Sequence, residues 1–148
     1  MSFPLTVAFV LGLAVHALLA GVIPSPWWVP NLSLVVLVVI VARVPNRWLI
    51  LSWLAGMFMM VWTVRFPVLV FASYLFVGWA VQALSQRLDT TDPRAEWLIV
   101  GLASLCLTLG ALWLESLWSV SLVGLAVVHI GLTVLAVPLT RRVVLRVL

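Results

Sequence analysis

Apolar residues run along this chain in long stretches, broken by short polar segments that hold most of its prolines and arginines. Crossing a bilayer takes about 20 apolar residues, so the pattern predicts six membrane helices, at roughly 4 to 23, 29 to 43, 47 to 64, 67 to 86, 96 to 114 and 118 to 139. The breaks have local causes. Pro24, Pro26 and Pro30 in "IPSPWWVP" deny the first helix a continuation, and "RVPNRW" offers Pro45 as breaker and Asn46 as N-cap of the third. In "TTDPRAEW", Asp92 is placed to cap the fifth helix, with Pro93 at its first position and Glu96 near the positive end of its dipole.

The second stretch is too short for this scheme. From Asn31 to Ala42 its twelve residues rise only ~18 Å as a helix, against a hydrocarbon core of ~30 Å. Adding Trp28 and Val29 and letting Arg43 snorkel extends the reach to ~24 Å, which implies a locally thin bilayer or a partner covering the ends of this helix.

Composition fixes the class. Of 148 residues, 66% are apolar and 8% charged, with a mean hydropathy of +1.31, a balance that no soluble domain can bury. The N-terminal run lacks a basic leader and a small-residue cleavage site, so it reads as a retained first span, and residues 1 to 148 read as one transmembrane domain. The net charge of +4 comes from eight arginines and four acids. Arg43 and Arg47, Arg87 and Arg94, and Arg141, Arg142 and Arg146 fall on one side of the predicted membrane and only Arg65 on the other. That bias places both termini in the cytoplasm and removes nucleic acid as a partner, leaving membrane lipid as the basic residues' neighbour. Trp27, Trp28, Trp48, Trp97, Trp113 and Trp118 lie near span ends as interface anchors, whereas Trp53, Trp62 and Trp79 lie deeper and are expected to pack between helices.

Candidate chemistry is sparse. Paired carboxylates, a serine with a base, a phosphate loop and a metal-ligand spacing are all missing, which argues against an enzyme and against a cofactor. Cys106 stands alone in an apolar run and reads as a small hydrophobe. His16 and His129 suggest a bis-histidine haem only weakly, and hydrogen bonding to a neighbouring helix is the simpler role. Arg65 and Glu115 fall in the outer loops, as an ion pair, a ligand contact or solvated ends. Small residues give a clearer pattern: Gly101, Ser104, Thr108, Ala111 and Glu115 form one helical stripe on the fifth span, and Ser121, Gly124, Val128 and Gly131 another on the sixth. Such stripes either pack inside the bundle or dock a partner's transmembrane helix.

The order of features resembles the rod shape-determining protein MreD family. The residues that carry the resemblance are the Pro30, Asn31, Leu32 entry into "PNLSLVVLVVIVA", the basic turn "RVPNRW", the Ala-Gly pair of "LSWLAGMFMMVW", a proline-led fourth helix and the closing "VPLTRRVVLRVL". It covers nearly the whole chain. The chain departs from the family after Gly56, where "MFMMVW" lacks an aspartate, and at "RFPVLV", where a glycine is usual. The resemblance implies a compact bundle of about six helices, similar in fold to the substrate-binding subunits of energy-coupling-factor transporters. It also implies a non-enzymatic scaffold of the cell-elongation machinery in a bacterial inner membrane. That scaffold holds an MreC-like helix beside a RodA-type glycosyltransferase and a class B penicillin-binding protein, in support of peptidoglycan synthesis and rod shape. The competing expectation is a vitamin-transporter subunit that captures a small molecule with Trp27, Trp28, Arg65 and Glu115, and an accessory subunit of another membrane complex stands third.

Overall fold

The computed structural model describes residues 3–63, 66–87, 89–114 and 120–147. Among these residues the chain forms six α-helices: α1 (Phe3–Val22), α2 (Leu32–Arg43), α3 (Trp48–Trp62), α4 (Pro67–Ser85), α5 (Pro93–Leu114) and α6 (Val120–Val147). Single turns of 3-10 helix lie at Pro26–Trp28 and Pro45–Arg47. Five stretches are long and apolar enough to cross a membrane, which makes this a multi-pass helical membrane protein; α3, at 15 residues, is not among them.

The helix ends follow their local chemistry, with three corrections. The Asp92 side chain caps α5 by accepting from the Arg94 amide at 2.9 Å, and Pro93 opens that helix as expected. Asn46 caps nothing: it lies inside the 3-10 turn, and the residue before α3 is Arg47. Val29 is extended, so α2 is not lengthened at its first end and starts at Leu32. The sixth helix does not stop near 139 but runs through Pro138 to Val147. A mid-helix proline costs about 3 kcal/mol in isolation. Here Val144 is buried in the core beyond it and Arg141 is tied to α5 and to the turn before it, so the last turns have contacts that hold them helical.

The short second helix is the centre of the molecule. Every residue from Ser33 to Ala42 is buried, and α2 touches each of the other five helices. A helix that is apolar on all sides is one buried on all sides, and a central post surrounded by longer helices has no need to reach both surfaces of the bilayer. Neither a thinned bilayer nor a partner is required to explain its length. Because lipid tails are as apolar as leucine, aliphatic burial alone does not hold such a post in place; close packing and polar ties must.

Close packing is supplied by three glycines. A Cβ on Gly12 of α1 would collide with Val36 of α2, one on Gly56 of α3 would lie 2.9 Å from Phe71, and one on Gly78 of α4 would collide with the Ser52 hydroxyl. These contacts seat α1 on α2 and α3 on α4. Trp53 and Trp79, placed deep in the spans by the sequence, are about half exposed and do not pack between helices, because the α3 and α4 surfaces that meet carry small residues; Trp62, equally exposed, lies beside Phe58.

Candidate functional site

At one end of α2 a polar hub gathers five of the six helices. The Asn31 side-chain oxygen accepts from the Leu34 amide (3.1 Å), capping α2, and also from the Ser33 hydroxyl (3.0 Å) and the Tyr74 hydroxyl of α4 (2.8 Å). The Asn31 backbone N–H donates to the Thr133 hydroxyl of α6 at 3.0 Å, and Thr133 donates in turn to the His129 carbonyl. His16 of α1 donates from Nδ1 to the Pro30 carbonyl at 3.2 Å, and Ser33 also lies 2.9 Å from the Met59 sulfur of α3. Burial pushes such groups to find partners, and here they find them around one residue.

The hub opens onto two cavities of about 320 and 620 Å³ that share Asn31, Met59, Trp62, Thr63 and His129 among their walls. His16 lines the first, and Trp27, Tyr74 and Thr108 line the second. The Trp27 and His129 rings meet edge to face with centroids 6.3 Å apart, and His129 Nδ1 is buried with no hydrogen-bond partner among the described residues. The walls thus combine aromatic faces with uncharged hydrogen-bonding groups.

At the other end of α2 lies a buried ion cluster. Glu96 of α5 is 0% exposed; its Oε1 is 2.7 Å from Arg43 at the end of α2, and its Oε2 is 3.7 Å from Arg141 of α6. Arg43 Nη1 also donates to the Val39 carbonyl, and Arg141 donates to the Thr91 carbonyl at 3.3 Å. Neither Glu96 oxygen receives an aligned hydrogen bond, so the cluster is held mainly by charge. Arg43 therefore does not snorkel to the surface as a topology marker only: its side chain is 10% exposed and locks α2 to α5.

Between α4 and α5, which meet sparsely, runs an apolar cleft of about 500 Å³. Leu69, Phe76, Ala80 and Leu84 line one wall, and Ile99, Leu102, Ala103 and Cys106 the other. Ser73 also lines it but turns its hydroxyl back to the Leu69 carbonyl (2.8 Å), so the surface offers no polar anchor.

The residues expected to form contact stripes divide. Of Pro30, Asn31 and Leu32, Asn31 is the centre of the hub and the Pro30 carbonyl receives His16, whereas Leu32 opens α2 and its N–H bonds back to Pro30. On α5, Ser104 and Thr108 are buried, a Cβ on Gly101 would lie 3.6 Å from Val134 of α6, in ordinary contact, and Ala111 is exposed; the face turned inward is Glu96, Val100, Ser104, Thr108 and Leu112. On α6, Ser121, Gly124 and Gly131 are exposed, and a Cβ on either glycine would meet nothing, so this stripe does not pack inside the bundle. Its buried face is Ala126, Thr133, Val137 and Val144. Glu115, Arg65 and Trp118 lie outside the described residues. Arg47, Arg87, Arg94, Arg142 and Arg146 are exposed.

Sequence reading missed Glu96 as a cluster centre and His16 and His129 as walls of one cavity. A signal existed for the first: a carboxylate one turn inside an apolar span is expensive unless paired, and only arginines were available to pair it. Among the described residues no group of three or more His, Cys, Asp or Glu side chains is placed to hold a metal ion. No family model, curated protein or solved structure matches this chain.

Proposed function

We propose that the chain is a non-enzymatic membrane scaffold that seats one transmembrane helix of a partner in the α4–α5 cleft. The cleft is the observation that carries this reading. From Leu69 to Leu84 it follows α4 for roughly 22 Å, most of the hydrocarbon thickness. Its lining includes Ala72, Ala80 and Ala103, small residues of the kind that admit a second helix closely where no hydrophobic force drives association. Following the resemblance to MreD, the partner is an MreC-type protein, and the assembly serves a RodA-type glycosyltransferase with its class B penicillin-binding protein. The arginine-rich end then faces the cytoplasm of a bacterium, with both termini on that side. In the same stretch where that family usually carries glycine, Phe66 adopts the left-handed conformation (φ 52°) that glycine favours, which supports the kinship.

Cys106 provides the test, because it is the single cysteine, is exposed and lines the cleft. In native membranes a membrane-permeant maleimide should label it slowly, and in the protein purified without partners it should label fast. An MreC-like protein should copurify in mild detergent, and depletion should round the cells. Equal labelling in both settings, with no copurifying single-span protein, would sink the scaffold.

A second reading is favoured by the paired cavities at the Asn31 end, whose volumes fall in the range of about 300–1,000 Å³ typical of small-molecule sites. It makes the chain a substrate-binding subunit of an energy-coupling-factor transporter. The ligand is then neutral and partly aromatic, since His16, Asn31, Thr108 and the Trp27 and Trp62 rings line the space without a formal charge. Native mass spectrometry decides between the two: a retained small ligand and an ATPase module support the second reading, and neither appearing removes it.

A further inference from the structure

We infer that the arginine end carries a specific site for the headgroup of an anionic glycerophospholipid, between α5 and α6. A cavity of about 480 Å³ opens there, lined by Arg94, Arg141 and Arg142 together with Trp97, Pro138 and Leu145. Trp97 and Pro138 lie about one turn further from the helix ends than Arg94 and Arg141, with Leu145 on the opposite side of Arg141, so guanidinium groups near the ends of two apolar spans stand beside an aromatic ring and an apolar notch that face the middle of those spans. That is the profile of a phosphodiester with an acyl chain attached, and a soluble anion has no use for the apolar part.

Charge supports the same occupant. Glu96 is the one carboxylate inside the cluster, and it faces two arginines, Arg43 and Arg141. Arg94 and Arg142 are in no ion pair among the described residues. The neighbouring acids are already engaged at the turn: Asp92 caps the Arg94 amide and Asp89 accepts from Thr91. Over this whole end, Arg43, Arg47, Arg87, Arg94, Arg141, Arg142 and Arg146 stand against Asp89, Asp92 and Glu96, an excess of four positive charges. A basic pocket between membrane helices at the cytoplasmic level is suited to an anionic headgroup. Arg141 is held in place by its hydrogen bond to the Thr91 carbonyl and its ion pair with Glu96, while Arg94 and Arg142 are exposed and free to close on a phosphate.

The experiment uses the full chain in neutral detergent and reads lipid adducts by native mass spectrometry. Phosphatidylglycerol and cardiolipin should be retained in preference to phosphatidylcholine. The Arg94→Gln/Arg142→Gln variant should weaken that retention by roughly thirty-fold, the product of two arginines at an anionic surface. Arg47→Gln/Arg87→Gln removes the same charge from exposed positions at the same end and should leave retention unchanged. Equal loss in both variants would mean that overall charge, not this pocket, holds the lipid, and no loss in the first would remove the site; either overturns the proposal. Inorganic phosphate that displaces the lipid at low millimolar concentration would assign the pocket to a soluble phosphate and overturn it as well.

Discussion

Replacing Glu96 by glutamine should be among the most damaging single changes available in this chain. The side chain is 0% exposed, and it is the carboxylate that balances Arg43, itself 10% exposed, at 2.7 Å. Glutamine keeps the shape but turns one acceptor oxygen into an NH2 donor and removes the charge, so a guanidinium that cannot lose its proton is left buried without a counter-ion. Removing one partner of a buried pair costs about 3–5 kcal/mol. Arg141 adds less, because at 24% exposure and 3.7 Å it falls nearer the range of surface pairs, about 0–1 kcal/mol. The expected loss is therefore about 3–5 kcal/mol, set by Arg43.

The reasoning makes a second demand that a merely crowded site would not meet. If the cost is a stranded charge, removing both partners should restore stability: Glu96→Leu with Arg43→Met should come within about 1 kcal/mol of wild type, or exceed it. Equilibrium unfolding in mixed micelles, followed through the nine tryptophans, gives both numbers and their coupling. A Glu96→Gln loss below about 1 kcal/mol would show that water reaches the cluster. Additive losses in the double variant would show that the charges do not depend on each other, and either result refutes the account.

Other changes test the remaining ties. Asn31→Leu removes a helix cap and leaves the Ser33 and Tyr74 hydroxyls short of an acceptor, an expected loss of about 2–4 kcal/mol in the same unfolding assay. Gly78→Ala drives a methyl into Ser52 and should cost about 1–3 kcal/mol, most of it recovered when Ser52→Gly is added; failure of that rescue would place the strain elsewhere. Phe66→Gly relieves a left-handed conformation worth about 1–2 kcal/mol at a half-exposed residue, and should raise the melting temperature. The Thr91 hydroxyl and amide hold the Asp89 carboxyl below its ordinary 3.8, so the folded turn gives up its proton more readily than the unfolded chain does. That stabilisation is whole above the ordinary value and is lost as pH falls through the lower folded one, so the melting difference between wild type and Asp89→Asn should stay flat from roughly pH 8 to 5 and shrink below about 4.

Hydropathy located six helices, and all but the far end of the sixth to within a few residues, because span length and proline breaks are local facts; α6 runs past Pro138 to Val147 on tertiary contacts that the local sequence does not show. It misjudged α2, and the reason is physical. In water an aliphatic run announces that it is buried; in a bilayer lipid and protein interior are equally apolar, so "LSLVVLVVIVA" reads the same whether it faces acyl chains or five other helices. What distinguishes the two cases lies at the ends of the run. A lipid-facing span needs only anchors there, whereas a central post needs partners at both ends that bind it to its neighbours, and Asn31 and Arg43 have them in Tyr74, Thr133 and Glu96. The small-residue stripes misled for the same reason: Gly124 and Gly131 share one face of α6 but a Cβ on either meets nothing, whereas the single glycines Gly56 of α3 and Gly78 of α4 each abut the other helix. Periodicity identifies a face and not what the face touches. In a membrane protein the informative residues are accordingly the few polar ones that flank an apolar run, and the order Asn31, aliphatic run, Arg43, with Glu96 one turn into a later span, is the arrangement from which a buried second helix is legible.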